Sequence, residues 1–362
     1  MSTDIVKSKK PKKAPTQGLI SEYRKKQRKK FLFVLGGLLL MIVLAIYDLS
    51  IGAYNLSFTD VYRIIFERFL DWNAPKTTPA LVVWDLRMPR ILTAIIAGAG
   101  LAIGGAAMQS MLKNPLADPY TTGISAGASF GVTIAILLGF TIISGSAGII
   151  VSAFIFSLIP TAFILFLSKI RRTPPTMMIL AGIAIMYIFN AGVSYLMLHA
   201  DPNSAAVVFN WTVGTLDRVS WKTLPAMLAV VSAGSAAIMY LSRQLNAINS
   251  GDAFAKSIGI NVEKLKIIIL LLVSLVAAAV VSFTGTIGFI GIVAPHIARI
   301  LVGSDNKFLI PSAALCGAML LLISDVISHS LGPSTIPVGI VTAFIGGPLF
   351  IYLILKQKKQ VW

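Results

Sequence analysis

The first residues that could do chemistry are two arginines beside a proline, at the start of a long apolar run. Arg87 and Arg90 stand in VVWDLRMPRILTAIIAG, residues 82–98, with Pro89 between them. Proline suits the first turn of a helix, and cations beside the positive end of a helix dipole cost energy. We therefore expect an anionic partner for these guanidinium groups. It could be Asp85, lipid headgroups or an acidic protein docked from outside.

A polar connection later in the chain is the second candidate region. The sequence LSRQLNAINSGDAFAKSIGINVEKLK, residues 241–266, has mixed charge and helical character, and it is longer than a simple turn needs. A connection of that length with its own secondary structure is usually a contact surface. The alternative is an ordinary amphipathic loop.

Several kinds of chemistry have no counterpart in the sequence. Almost no ionisable residue lies in the middle of an apolar run, so neither the proton relay of a secondary transporter nor the acidic ring of a cation channel is present. The chain also lacks G-x-x-x-x-G-K-[ST], the loop that binds nucleotide phosphates. We expect no catalytic residue, no metal site and no cofactor. Uphill transport would have to draw its energy from elsewhere.

The composition indicates the kind of protein that must position these residues. Of 362 residues, 56% are hydrophobic and 12% are charged, which is typical of an integral membrane protein. Much of the net charge of +17 lies just before the first apolar run. The positive-inside rule and anionic lipid headgroups explain this charge better than nucleic acid does. We predict that residues 1–30 form a disordered, basic cytoplasmic tail.

The hydropathy pattern predicts ten membrane-spanning segments, since a bilayer requires roughly 20 apolar residues per helix. An even number returns the C-terminus to the side of the N-terminus, and the internal cation clusters fall on that same cytoplasmic side. The stretch FTDVYRIIFERFLDW, residues 58–72, is predicted as an outer surface helix capped by Thr59. The ten segments lie near residues 31–52, 89–112, 121–140, 142–168, 176–199, 224–242, 266–284, 286–302, 309–330 and 336–355.

Small residues in the second segment predict close helix packing. Gly98, Ala102 and Ala106 repeat every four residues, as do Gly100 and Gly104. This spacing lets helix backbones approach each other in lipid, and it carries no information about transport.

Six stretches are characteristic when they are taken together: LRMPR (86–90), KNPLADP (113–119), GISAGASFG (123–131), GDAFAKSIG (251–259), GTIGFIGIVAPHIAR (285–299) and IPVGIVTAFIGGPLFIYLI (336–354). They resemble the FecCD-type permease subunits of ABC importers for iron-siderophores, haem and vitamin B12. The motifs run in the family's order from about residue 30 to the C-terminus and leave only the basic tail uncovered. Each motif alone is weak, whereas the joint match is highly specific.

The resemblance implies an all-α integral membrane protein with about ten transmembrane helices, in the type II ABC importer permease architecture. The permease domain would cover residues 31–356, with a cytoplasmic coupling loop at about 243–264 and a cytoplasmic C-terminus at 357–362. The implied partners are a second permease subunit (a sister chain or an identical copy), two cytoplasmic ATPase subunits, an extracellular substrate-binding lipoprotein and membrane lipid. No nucleic acid is expected. ATP hydrolysis would belong to the separate ATPase subunits, so the chain itself is not expected to be an enzyme.

The resemblance also implies roles for the two candidate regions. Arg87 and Arg90 match an R-x-P-R motif whose arginines meet glutamates of the binding protein in similar permeases. His329 stands where many relatives carry a third outer arginine; it could make docking pH-sensitive, or it could be a packing or lipid-interface histidine. The GDAFAKSIG stretch resembles the coupling element that sits in a cleft of the ATPase. Its matching positions are Gly251, Ala255, Ile258 and Gly259, and Asp252 and Lys256 are expected to form surface pairs.

The expected function is therefore uptake of a ferric siderophore, with haem and cobalamin as the other cargoes of similar permeases. Two alternatives come from other classes. One is a proton- or sodium-driven secondary transporter, which the scarcity of buried acids disfavours. The other is a membrane scaffold that transports nothing.

Overall fold

The fold is a bundle of α-helices, described by a computed structural model over residues 15–52, 54, 56–71, 77–170, 175–330 and 336–356. Within these ranges the chain forms no β-sheet, and only an isolated bridge joins Val213 to Thr286. The helices are α1 (Pro15–Ser50), α2 (Phe58–Leu70), α3 (Thr78–Leu81), α4 (Met88–Leu112), α5 (Ile124–Leu137), α6 (Ser146–Ile170), α7 (Pro175–Leu198), α8 (Pro202–Thr212), α9 (Leu224–Tyr240), α10 (Ser242–Asn249), α11 (Asp252–Ser257), α12 (Val262–Thr284), α13 (Ile290–Val302), α14 (Asn306–Ser330) and α15 (Val338–Lys356).

The predicted spans all correspond to helices. Six helical stretches are long and apolar enough to cross a membrane, and the bent pair α9–α10 makes a seventh within the described residues. The other three predicted segments match the shorter apolar helices α5, α13 and α15. The all-α architecture with about ten transmembrane helices is thereby confirmed. Apolar length alone makes these segments helical, because a helix satisfies its own backbone in lipid.

The basic N-terminal segment differs from the expectation. Residues 1–14 lie outside the described residues, but α1 begins at Pro15, so residues 15–30 are helical where disorder was predicted. The segment is rich in lysine, arginine and glutamine, which are good helix formers. It therefore extends the helix of the first span without a break. The cytoplasmic C-terminus predicted at 357–362 also lies outside the described residues.

Helix α4 forms the centre of the bundle and packs closely against α13 and α14. A Cβ at Gly98 would meet the Gly317 carbonyl of α14, and one at Gly105 would meet the Gly291 backbone of α13. Most of α4 is buried. The small-residue spacing predicted this close approach correctly.

The helical stretch that contains α4 begins earlier than the sequence suggests. It runs continuously from Thr78 to Leu112, with Thr77 as its N-cap and Pro79 in its first turn. Residues 82–87 form a π-helical turn, in which the Met88 N–H donates to the Val83 carbonyl. Such turns occur often at functional sites. This one ends two residues before Pro89, which has no N–H to donate to the helix.

Two further differences concern helix ends. The N-cap of α2 is Ser57, whose hydroxyl accepts from the Thr59 N–H, so the capping residue is not Thr59 as predicted. The chain bends by 52° between α9 and α10. This bend turns α10 away from the span and begins the helical connection that the sequence predicted as a contact surface.

Candidate functional site

Arg90 is the centre of a buried ionic cluster at one end of α4. It is 5% exposed. Its Nε donates to both oxygens of Asp325, at 2.9 and 3.1 Å, and its Nη2 donates to Asp325 Oδ1 at 2.7 Å. Nη2 also lies 3.3 Å from the Ser328 hydroxyl, and Nη1 donates to Asp217. All three guanidinium nitrogens are therefore bound within the chain.

Arg87 is buried beside Arg90 and binds backbone rather than carboxylates. Its Nη1 donates to the Leu49 carbonyl and its Nη2 to the Tyr54 carbonyl, both at 2.7 Å. A Cβ at Gly52, where φ is +141°, would lie 2.6 Å from Nη2. The carbonyls of Leu49 and Tyr54 therefore hold this guanidinium, and glycine is required at Gly52, where the backbone comes closest to it.

These contacts change the explanation of the two arginines. Neither lies at a helix N-terminus, because the helix begins more than two turns earlier at Thr78. The anionic partners of Arg90 are Asp325 and Asp217, not Asp85, which lies exposed on the π-helical turn. Asp325 was missed because its distance from Arg90 along the chain gives no local signal. A lone aspartate inside an apolar segment was the available hint.

His329 lies inside the same cluster. Its side chain is 14% exposed, and Nδ1 is 3.9 Å from Oδ1 of the buried Asp48 on α1. It was predicted as a docking residue together with Arg87 and Arg90. The structure brings the three side chains together at one end of the bundle, with little of any of them at the surface.

The connection between α8 and α9 covers this cluster and supplies Asp217. Trp221 stacks on Trp84 at 5.3 Å between ring centroids and donates to the Trp84 carbonyl at 2.7 Å. Arg218 donates to the carbonyls of Asn210, Trp211 and Thr284, and burial lowers its pKa to about 10, so the guanidinium stays protonated. Asp217 itself is 54% exposed on its side chain.

The α10–α11 segment lies at the opposite end of α4. Lys113, which ends α4 in the left-handed conformation (φ 50°), places its Nζ 3.0 Å from Asp252 Oδ1. Lys266 at the start of α12 binds Asp252 Oδ2 at 2.7 Å. Burial raises the pKa of Asp252, but hydrogen bonds from Lys266 and Lys113 outweigh it, so the pKa lies below its usual value. This carboxylate therefore fastens α11 to two transmembrane helices.

The other residues predicted in this segment fall into two groups. Ala255 is completely buried, whereas Lys256, Ile258 and Gly259 are exposed, and Lys256 lies 3.6 Å from Glu263. Gly251 and Gly259 have φ of +126° and +85°, which glycine adopts at low cost. The surface pairs expected for Asp252 and Lys256 are present.

The sequence analysis missed Phe254 in this segment. Phe254 and Ile258 are 51% and 54% exposed, and they lie four residues apart, so they share one face. An exposed aromatic and aliphatic pair on an otherwise polar loop is a candidate for a protein contact. The spacing of Phe254 and Ile258 in the sequence was the available signal.

A chain of amides connects α10 to the centre of the bundle. Asn246 on α10 accepts from the Asn306 N–H at 2.8 Å and from its side-chain amide at 2.9 Å. The Ser110 hydroxyl of α4 donates to Asn306 Oδ1 at 2.8 Å. A displacement of α10 would therefore act directly on α4 and α14.

The KNPLADP and GTIGFIGIVAPHIAR motifs pack against each other next to this chain of amides. Asp118 of KNPLADP caps a short 3₁₀ turn at the Tyr120 N–H, and a Cβ at Gly291 would collide with its Oδ1. Burial raises the pKa of Asp118 to about 6, against a smaller lowering by the Tyr120 N–H. Gln109 donates to the carbonyls of Gly291 and Ile292. The motifs thus have a structural role at this helix junction.

The family model of the FecCD transport family matches residues 39–356. This match covers most of the chain, including both candidate regions. The chain belongs to the FecCD transport family. It is therefore a multi-pass membrane protein and an ABC importer permease, as the resemblance implied.

Individual relatives of this FecCD permease carry different names. A candidate ABC transporter permease of Methanocaldococcus jannaschii is 40% identical, over 94% of this chain and 99% of its own length. The hemin transport system permease HmuU of Yersinia pestis is 36% identical, over 89% and 95% of the two chains. The cobalamin import system permease BtuC of Halobacterium salinarum is 35% identical, over 80% and 78%.

A solved structure has the same fold as the FecCD permease. It is described as a candidate metal-chelate type ABC transporter in an inward-facing conformation, and it is 30% identical with a TM-score of 0.79. The match covers 90% of this chain and 99% of that chain. The type II ABC importer permease architecture is confirmed.

Proposed function

We propose that this chain is the transmembrane half of an ATP-driven importer that takes up a ferric siderophore. An extracellular substrate-binding lipoprotein would deliver the cargo, a second permease chain would complete the pathway, and two cytoplasmic ATPase subunits would hydrolyse ATP. The chain itself would carry no catalytic residue. The cargo is proposed from the similarity to the solved metal-chelate type ABC transporter, which is 30% identical with a TM-score of 0.79. The coupling to ATP is proposed from the exposed pair Phe254 and Ile258 on the α10–α11 segment, which is fastened to the transmembrane helices by polar contacts.

The α10–α11 segment would transmit closure of the ATPase subunits. Phe254 and Ile258 would enter a cleft of the ATPase, and the exposed Gly259 would allow close approach. Asp252 would transfer the displacement to α4 and α12 through Lys113 and Lys266. Gly251 and Ala255 would shape the turn and its packing, and Lys256 would remain at the rim.

This assignment also proposes an orientation in the cell membrane. Arg243, Lys256, Lys264 and Lys266 all lie in or next to the α10–α11 segment. The positive-inside rule favours the cytoplasm for such a group of cations. The arginine end of α4 would then face outwards, and both termini would lie in the cytoplasm.

Docking of the binding protein would use the outer end, where Arg87, Arg90 and His329 lie. Arg90 has no free nitrogen, so a carboxylate of the binding protein would have to replace an internal partner. Asp217 is the replaceable one, because it is 54% exposed and lies on a connection, whereas Asp325 is fully buried. Docking would thus be an exchange of carboxylates on Arg90.

The docking proposal can be tested with Asp217→Asn in the assembled complex. Removing this internal carboxylate should speed or tighten association of the binding protein by up to about fivefold, since an exposed ion pair is worth about 0–1 kcal/mol. Asp85→Asn is the matched control, because Asp85 is exposed and only two residues from Arg87. Equal association of both variants and the parent complex would count against exchange at Arg90.

Haemin is the second candidate cargo, because a relative named for hemin transport matches nearly the whole chain. The deciding experiment is ATP-dependent uptake into proteoliposomes that contain the complex purified with its own ATPase and binding protein. Labelled ferric siderophore, haemin and cobalamin are compared. Uptake of the siderophore alone supports the proposal, and uptake of haemin or cobalamin alone replaces its cargo.

The driving force is tested in the same proteoliposomes. Uptake should stop when ATP hydrolysis is blocked and should continue in the presence of a protonophore. The opposite result would make the chain an ion-driven transporter. A complex that hydrolyses ATP but moves none of the three cargoes would contradict the cargo assignment and leave the family unchanged.

A further inference from the structure

A carboxylate near the end of α1 is buried without a hydrogen-bond donor. Asp48 is 2% exposed, and neither of its oxygens accepts a hydrogen bond from any residue that the structure describes. Its Oδ1 lies 3.9 Å from Nδ1 of His329, so the imidazole does not donate a hydrogen bond to it. One carboxylate oxygen each of Asp48 and Asp325 and one ring nitrogen of His329 lie within 4.8 Å of one another. A buried, unpaired carboxylate is costly, so this arrangement requires a missing positive charge or proton.

The surrounding charges indicate that one positive charge is missing. Among the residues that the structure describes, three carboxylates and two guanidinium groups meet here, so they carry one net negative charge while the imidazole is neutral. Arg90 already donates to both oxygens of Asp325, and Arg87 already donates to two backbone carbonyls, so neither guanidinium pairs with Asp48. The charged and titratable groups are Asp48 from α1, Arg87 and Arg90 from the π-helical turn and α4, Asp217 from the α8–α9 connection, and Asp325 and His329 from α14.

We propose that Asp48 is a proton-binding site, which holds one proton as a neutral carboxylic acid that faces Asp325. The added proton makes the cluster electrically neutral. It also gives Asp48 an O–H that can donate to a carboxylate, which turns the unpaired group into a donor.

A proton fits this site better than a metal ion does. Both oxygens of Asp325 already accept hydrogen bonds from Arg90, which leaves few lone pairs for coordination. A divalent cation would also lie against two guanidinium groups. Asp48 fits the proton better than His329, because Nδ1 of His329 lies 3.9 Å from Asp48 Oδ1, which is too far for an imidazolium to donate a hydrogen bond to this carboxylate.

The site makes the arrangement of the arginines depend on pH. When Asp48 loses its proton, a second buried carboxylate competes with Asp325 for Arg90. The backbone just after Asp48 also holds Arg87, through the carbonyls of Leu49 and Tyr54. Deprotonation would therefore loosen the attachment of α1 to α4 and α14. This inference does not depend on the cargo or on the docking proposal.

Infrared spectroscopy of the purified, detergent-solubilised protein tests the proton directly. A protonated carboxyl has a C=O stretch that a carboxylate lacks, so Asp48 should contribute such a band at pH 7. The measurement uses Asp118→Asn as the parent, because Asp118 has a pKa of about 6 and its carboxyl band would overlap that of Asp48. Asp48→Asn should remove the band, whereas Asp60→Asn, at an exposed carboxylate on α2, should leave it. If Asp48→Asn does not fold, Asp48→Glu should retain the band at a shifted frequency.

The thermal midpoint gives a second, independent readout. With a proton bound only in the folded state, the midpoint of the parent should fall as pH rises and the proton is lost. Asp48→Asn should be insensitive over the same range. His329→Gln should keep the pH dependence.

Three results would overturn the assignment. The absence of a carboxyl band in the parent would mean that Asp48 is ionised. Loss of the pH dependence in His329→Gln, with retention in Asp48→Asn, would place the proton on the imidazole. A midpoint that rises with Zn²⁺ and falls with a chelator, in the parent but not in Asp48→Asn, would make the site a metal site.

Discussion

Arg90 on α4 and Asp325 on α14 form a buried ion pair between residues that lie 235 positions apart in the chain. The guanidinium donates through Nε and Nη2, and Asp325 is completely buried. Each charge is tolerated only because the other is present, since an unpaired charge in the interior is strongly unfavourable. The pair therefore holds the two central helices in one register at this end of the bundle.

Loss of the Asp325 carboxylate should destabilise the protein far more than loss of the exposed Asp217 carboxylate. Asp325→Asn leaves the charge of Arg90 buried, and we expect a loss of about 3–5 kcal/mol in stability. Asp217→Asn removes the exposed partner of the same guanidinium and should cost about 0–1 kcal/mol. Thermal unfolding in detergent compares the two variants. Similar midpoints would show that Asp325 is not the main compensating charge.

For the same reason, charge reversal at Arg87 or Arg90 is a test of folding rather than of docking. Arg90→Glu would place a third carboxylate against Asp325 and Asp217, and like charges at this distance repel strongly in a buried site. We expect loss of the folded protein from the membrane fraction. A folded complex with normal basal ATPase activity would contradict this expectation.

Contact between α4 and α14 should tolerate no side chain at Gly317. A Cβ there would meet the Gly98 carbonyl and the Ala102 side chain, so Gly317→Val must separate two helices and should cost at least about 1–3 kcal/mol. Gly36→Val is the matched control, because a Cβ at Gly36 on α1 would meet no atom within 4 Å. Thermal unfolding of both variants measures the difference. A stable Gly317→Val variant would mean that the helices can move apart freely.

The pH dependence of stability should contain a contribution from Asp118. Its pKa is raised from 3.8 to about 6, so the folded protein binds the proton more tightly than the unfolded chain. Stability from this group is then present at low pH, falls as pH rises through the range between these values, and is constant above about pH 6. The total change is up to about 3 kcal/mol. Asp118→Asn, which can still cap the 3₁₀ turn, should flatten this part of the profile.

The apolar pair on the α10–α11 segment should matter for the ATPase and not for folding. Phe254→Ala should weaken association with the ATPase by about 2 kcal/mol, in the range of interface hot spots, while the thermal midpoint of the isolated chain stays nearly unchanged. Phe66→Ala on α2 is the matched control, because Phe66 is 52% exposed and Phe254 is 51% exposed. Co-purification and ATPase coupling are measured. Equal loss in both variants would argue against a specific contact at Phe254.

The transmembrane helices could be predicted from the sequence because lipid imposes a simple rule of apolar length. All ten segments correspond to helices, although hydropathy placed the start of the second one too late, at 89 instead of Thr78. The π-helical turn caused this error, since Trp84, Asp85 and Arg87 interrupt the apolar pattern without interrupting the helix. Helix α1 was cut short for a similar reason, because charged residues in it were interpreted as disorder.

The partners of the arginines could not be predicted in this way. Nothing in the local sequence joins Arg90 to Asp325 or Asp217, and only the folded bundle brings them together. The α10–α11 segment was easier, because its length and mixed charge distinguish it from a simple turn. Even there, the fastening of Asp252 by Lys113 is visible only in three dimensions.

The contacts between α4 and α14 have a mechanical consequence. The two helices are joined at one end by Arg90 and Asp325, in the middle by Gly98 and Gly317, and at the other end by Ser110 and Asn306. If one helix slid along the other, the hydrogen bonds at both ends would break and the two backbones would clash in the centre. Helices α4 and α14 must therefore move together as one rigid body. Any hinge that opens this protein has to lie outside it, where helices are joined by connections rather than by buried polar bonds.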